Sequence, residues 1–151
     1  MRKLLLSACL AVVAAMSVST ASMAAPTSMA AATIVQPGDL KWTPISGVAG
    51  AEMAVVYGNL MAAGGNYTIR VRLAAGAKIP PHWHPDAERA TVLSGSILFG
   101  QGTRLTTAGT TALSAGSFLY IPAKVPHYLI ARSPSIVQVT GTAPFKMINA
   151  H

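Results

Sequence analysis

The sequence predicts an all-β domain, a single antiparallel sandwich or barrel, and three observations predict it. The 13 glycines and 10 prolines are scattered between short apolar runs, the punctuation of many short strands joined by turns. Tyr67, Ile69, Val71 and Leu73 are apolar at a period of two, with Thr68, Arg70 and Arg72 between them. That alternation is the mark of a half-buried strand. No helical period survives beyond the N-terminal segment. A length of 151 residues fits one domain, and no internal repeat suggests a second.

The elements follow in order. Residues 1–24 read as a signal peptide: Arg2 and Lys3 precede an apolar run over residues 4–18, too short and too rich in Ala and Ser for a membrane anchor. Small residues at Ser22 and Ala24 place the cut after Ala24, with Ala30 or Ala31 as alternatives. The expected location is the periplasm or the exterior, with no stable membrane anchor after cleavage. Leu6-Ser7-Ala8-Cys9 fits a lipoprotein box by letter, but only residues 4–6 precede it as an apolar run. Export with cleavage would remove Cys9, the single cysteine, and with it thiol and disulfide chemistry.

Residues 25–38, rich in Ala, Thr, Ser and Pro, read as a flexible lead-in, and residues 39–151 as the domain. Strands are expected at 53–57, 67–73, 90–93, 96–99, 118–121, 128–130 and 136–139. Turn signals separate them at Gly64-Gly65, Ala75-Gly76, Ser94-Gly95, residues 100–102, Ala115-Gly116 and Pro122.

Charge narrows the function. The formal net charge is +7, but the basic residues are spread singly, with no cluster and no aromatic-interleaved stripe. Nucleic-acid binding is therefore not expected. Asp39, Glu52, Asp86 and Glu88 are the only acids, so acid–base chemistry has few candidates.

The chemistry concentrates in GAKIPPHWHPDAERATVLSG, residues 76–95. His82 and His84 stand two apart, which in a strand puts both imidazoles on one face. Pro80, Pro81 and Pro85 stiffen the segment and lower the entropy lost on fixing side chains. Glu88 follows, and His127 can join only through tertiary folding. Taken singly, a His-X-His pair is more often an exposed pair, Glu88 a solvated carboxylate and His127 a core histidine. Taken together they are less ordinary, because three of the chain's four histidines fall in this constellation. Three imidazoles and a carboxylate suit one divalent transition metal: Fe, Mn, Ni, Cu, Co or Zn.

These residues resemble the two motifs of the cupin superfamily. Gly76, His82, His84, Glu88 and Gly95 match G-X5-H-X-H-X3-4-E-X6-G throughout. Gly116, Pro122 and His127 match the second motif, G-X5-P-X-G-X2-H-X3-N, whereas Lys124 stands at the turn glycine and Ala131 at the terminal asparagine. The resemblance covers about residues 40–148, and is similar in detail to small secreted cupins related to the cupin domain of ChrR-type anti-sigma factors. It implies a jelly-roll β-barrel with His82, His84, Glu88 and His127 as metal ligands. It also implies a small-molecule substrate or ligand, and leaves room for a homodimer. The expected activity is that of a metal-dependent oxidoreductase of dioxygenase type. An open metal position suits dioxygen or a chelating enol or catechol, and no separate acid or base is evident. The competing expectation is a non-catalytic module that binds or senses a metal or small ligand. A barrel with a vestigial site is the third.

Overall fold

The computed structural model describes residues 31–151. The expected signal peptide, its cleavage site, Cys9 and the first residues of the lead-in lie outside the described residues. Regular structure opens with a 3-10 turn, Pro37–Asp39, in which the Asp39 carboxylate accepts from the Gln36 N–H at 2.7 Å. Eleven strands follow: β1 (Thr43–Pro44), β2 (Ala51–Tyr57), β3 (Asn66–Leu73), β4 (Lys78–Trp83), β5 (Glu88–Ser94), β6 (Ser96–Gln101), β7 (Thr111–Ser114), β8 (Phe118–Ile121), β9 (His127–Ala131), β10 (Ser135–Thr142) and β11 (Ile148–Asn149). No helix of the described residues is long and apolar enough to cross a membrane.

The strands make two antiparallel sheets: six strands in the order β1-β2-β3-β10-β5-β8, and five in the order β11-β4-β9-β6-β7. From β3 onward every connection passes from one sheet to the other except the β6–β7 hairpin. This is the expected antiparallel jelly roll. The crossings matter for the site, because they carry side chains from both sheets into one interior.

Strands β3 and β10 show why the pattern folds this way. Tyr67, Ile69, Val71 and Leu73 are buried, and Ile69 and Val71 face Val139 and Val137 across the ladder. The alternate residues pair on the outer face: Thr68 with Thr140 at 3.3 Å, and Arg70 Nε donating to Gln138 at 3.2 Å. Each fully buried Val, Leu or Ile stabilises by about 1.5–3 kcal/mol, and polar outer rungs add a few tenths each.

The structure adds strands to those expected. In β4, Pro80 and Pro81 cannot donate to a ladder, so pairing with β9 skips from Ile79 to His82 in a bulge. Gly100 belongs to β6 and not to a turn: Tyr128 of β9 lies across it, and a Cβ there would collide with the phenol ring. Gly95 has φ +77° at the crossing from β5 to β6, where a Cβ would strike the Pro134 carbonyl and Ser135. A side chain is excluded there by both space and conformation.

Candidate metal centre

The four candidate ligands arrive by two crossings between the sheets. Strand β4 carries His82 and ends at Trp83, so His84 is the first residue beyond it. The chain bends at Pro85-Asp86 and enters the other sheet at Glu88, the first residue of β5. His127 opens β9 and stands directly opposite His82 in the β4–β9 pairing. His84 is thus placed by the end of the strand and not by its alternation.

The second crossing holds the first. Lys124 sits in the turn between β8 and β9 at φ +64°, the one positive φ outside glycine among the described residues. Its N–H donates to the His84 carbonyl at 2.8 Å. The turn that the family builds with glycine is kept here with lysine, at a strain of about 1–2 kcal/mol for a side chain in that region.

Each imidazole is oriented by a backbone carbonyl. His82 Nδ1 donates to Pro80 at 2.7 Å, His84 Nδ1 to Lys146 at 2.6 Å and His127 Nδ1 to Val125 at 3.0 Å. A carbonyl can only accept, so each Nδ1 carries the proton and each Nε2 is left with a lone pair. Such a bond to the distal nitrogen is the usual way a ligating histidine is fixed. Ligand atoms of His82, His84 and His127 lie within 4.8 Å of one another. Glu88 Oε2 lies 3.3 Å from Nε2 of both His84 and His127. All four side chains are buried.

The electrostatics favour a cation at this point. His84 Nε2 and Glu88 Oε2 are buried without a hydrogen-bond partner. An unsatisfied buried polar atom costs about 1–3 kcal/mol, and two acceptors facing each other cost more, unless a positive centre lies between them. Burial first, and then the nearby His127, lower the His82 pKa to about 4. Burial alone would push the Glu88 carboxyl up. The side chain of His127, and the positive charge that His84, His127 and His82 carry when protonated in the metal-free site, outweigh it, leaving the carboxyl below its usual range. The donor set therefore fits a divalent transition metal: three imidazole nitrogens with free lone pairs and one carboxylate held ionised.

The cluster opens onto a cavity of about 230 Å³ between the sheets. Its walls are Ile69 and Val71 of β3, Ile79 of β4, Leu129 of β9, Val137 and Val139 of β10, and others of the same kind. Phe145 and Met147, from the segment after β10, complete them. Phe145 lies 5.4 Å from the His84 ring and packs edge-on against Tyr67 at 5.6 Å. The Tyr67 hydroxyl is pushed up to about 12 by its burial and then by the charges of Glu88 and Asp86, so it stays protonated. Apart from the four candidate ligands, no titratable side chain among the described residues lines this cavity.

Sequence reasoning missed most of these walls and the Lys146 carbonyl. Alternation over residues 67–73 marked Ile69 and Val71 as one face of a strand, whereas residues 136–139 were expected as a strand with no face assigned. Phe145 to Met147 lie in an irregular segment after Pro144, with no period to assign them a face.

Comparison with known proteins agrees with this architecture. A family model described as "Cupin domain" matches residues 69–146. Germin-like protein 3-1 of Oryza sativa subsp. japonica is 43% identical over 61 residues, which cover 40% of this chain and 27% of that protein. The chain therefore matches little more than a quarter of that relative's length. The polyketide cyclase RemF of Streptomyces resistomycificus superposes with a TM-score of 0.67 at 17% identity, over 80% of this chain and 86% of that one. Bacillus subtilis oxalate decarboxylase, whose structure concerns Mn(II) centres, superposes with a TM-score of 0.57 at 18% identity, over 74% of this chain and 30% of that one.

Proposed function

The chain belongs to the Cupin domain family, and on that premise we propose that it is a metal-dependent cupin acting on a small organic molecule. His82, His84, Glu88 and His127 are the proposed ligands of one divalent transition-metal ion. The observation that supports this is the convergence of the Nε2 lone pairs and Glu88 Oε2, two of these atoms being buried without partners.

The activity proposed is that of an oxidoreductase of dioxygenase type. A bound transition metal would supply Lewis acidity and, where redox-active, electron transfer. The chain's own residues do the rest. Glu88 offsets part of the ion's charge. The three carbonyl-anchored imidazoles hold their donor atoms in place. The apolar walls exclude water and hold the organic substrate against the cluster. Among the described residues no side chain in the cavity stands ready as a separate acid or base, which disfavours isomerase and epimerase chemistry. Mn(II) centres in a structurally similar protein support the choice of metal class.

The same lack of a separate acid or base favours a second reading, a module that holds its ligand without turnover. Elemental analysis of protein purified from its native compartment identifies the metal. Oxygen uptake with a panel of enolic and phenolic compounds then separates the two readings. Turnover establishes the enzyme, and ligand binding without oxygen uptake across candidate metals establishes the module.

We also propose that the protein is exported and cut after Ala24, supported by the Arg2-Lys3 start, the short apolar run and the small residues Ser22 and Ala24. The mass of the exported form tests it: a chain beginning at Ala25 without lipid is expected, and a lipid-modified Cys9 would overturn it.

A further inference from the structure

The walls of the cavity, together with the charge of the cluster, define the class of molecule that fits. The cavity holds about 230 Å³, and beyond the four candidate ligands Ser46 is the one polar side chain on its wall among the described residues. Among the described residues, no Lys or Arg lines it. A cavity of about 150 Å³ holds benzene, and drug-sized ligands need about 300 Å³ or more, so the space suits one substituted ring. The ion proposed above brings a charge of +2 and Glu88 removes one, while the imidazoles bind as neutral donors. One positive charge then remains at the end of an apolar chamber, where net charge is costly. A ligand with one anionic oxygen and a hydrocarbon body cancels it. A small dianion would leave a net negative charge facing Ile69, Val71 and Leu129, with no cationic side chain to meet it.

We propose that the cavity binds phenol- or enol-type molecules of one-ring size, with the oxygen toward the Glu88–histidine cluster and an alkyl or aryl body against the apolar walls, and that it discriminates against small dicarboxylates. This rests on the metal-dependent reading and adds the substrate class to it. Leu119, half-buried on β8 and part of the wall, is a specificity-determining position, because an arginine there would bring the missing cation into the chamber.

The test is calorimetric titration of the metal-loaded and metal-free protein with phenol, 4-methylphenol, 4-ethylphenol, 4-propylphenol, propylbenzene and oxalate. In the loaded protein each added methylene should tighten binding about fourfold until the cavity fills. 4-Propylphenol should bind at least tenfold more tightly than oxalate, and removal of the metal should weaken it to the level of propylbenzene. Leu119→Arg should narrow or reverse the preference over oxalate. Should that variant fail to fold, the wild-type series alone decides. A flat methylene series, or oxalate binding as tightly as 4-propylphenol, overturns the substrate class and leaves the metal reading standing. A rising series that is the same with and without metal overturns the metal reading, and with it the placement of the oxygen.

Discussion

Along β3 the inward side chains change their task within a few residues. Leu73 belongs to the buried core with Ala51, Ala77, Val92, Ile97 and Ala131, and at the centre of this part Val92 and Ile97 are closed to solvent, with no exposed surface. Ile69 and Val71, earlier on the same strand face, line the cavity instead, with His82, His84, Glu88 and His127 across from them. Both regions are built from the same two sheets with the same kinds of residue. In one the buried side chains are hydrocarbon alone. The other keeps space and holds polar atoms that the protein itself does not satisfy. The difference teaches that the closed region supplies stability, while the open region gives some up by leaving buried polar atoms without partners.

This division can be broken by experiment, and the largest effect belongs to the closed region. Ile97→Ala should cost about 2–5 kcal/mol in denaturant unfolding, through lost burial and a residual cavity. Metal affinity in the variant should match the wild type once it is folded. A parallel loss of metal affinity would show that the two regions are one unit.

Acid should act on the open region alone. The folded pKa of His82 is about 4, below its ordinary 6.5. The unfolded chain therefore takes up the proton first. The stability tied to neutral His82 is complete above about pH 6.5 and falls as the pH drops toward 4, by up to about 3 kcal/mol. Glu88, also shifted down, acts in the same sense: its contribution is present above the ordinary carboxylate range and is lost as the pH falls through its lower folded value. Melting curves of metal-free protein between pH 7 and about 4 check this. His82→Gln should flatten most of the slope, and an unchanged slope would assign the acid sensitivity elsewhere.

Metal should reverse the cost at the open region. At a free-metal concentration of about 100 times Kd, native-state binding stabilises by about 2.7 kcal/mol. Chelation should lower Tm accordingly, and His84→Ala should abolish the difference between loaded and chelated protein. Equal melting curves after confirmed metal removal would reject the candidate site.

The smallest effect lies in the turn that links the halves of the site. Lys124→Gly should relieve the positive-φ strain and, after the entropy that glycine loses on folding, stabilise by at most about 1 kcal/mol. The Lys124 N–H bond to His84 is a backbone bond and should survive, so metal affinity should not fall. A large gain or loss in affinity would mean that the lysine side chain, and not the turn alone, shapes the centre.

Much of this was legible in the linear pattern, because its signals are local. The alternation over Tyr67–Leu73 requires a strand, whatever it packs against, and the spacing of His82, His84 and Glu88 marked a cluster without coordinates. The added strands were hidden for local reasons too. The prolines of β4 read only as stiffening the segment, and the bulge by which β9 accommodates them has no local signal. Gly100 read as a turn until Tyr128 covers it.

By itself the sequence determined an antiparallel β-domain, its scarcity of acids and bases, and four candidates for metal ligation. Those follow from side-chain period and residue chemistry, which each short segment carries with it. Only the tertiary structure decided that His127 stands opposite His82, that the Pro80, Val125 and Lys146 carbonyls turn every Nε2 inward, and that the cluster ends an apolar cavity. These depend on strand register and on crossings between sheets. They are set by which distant segments meet, a property of the packed chain that no local window contains.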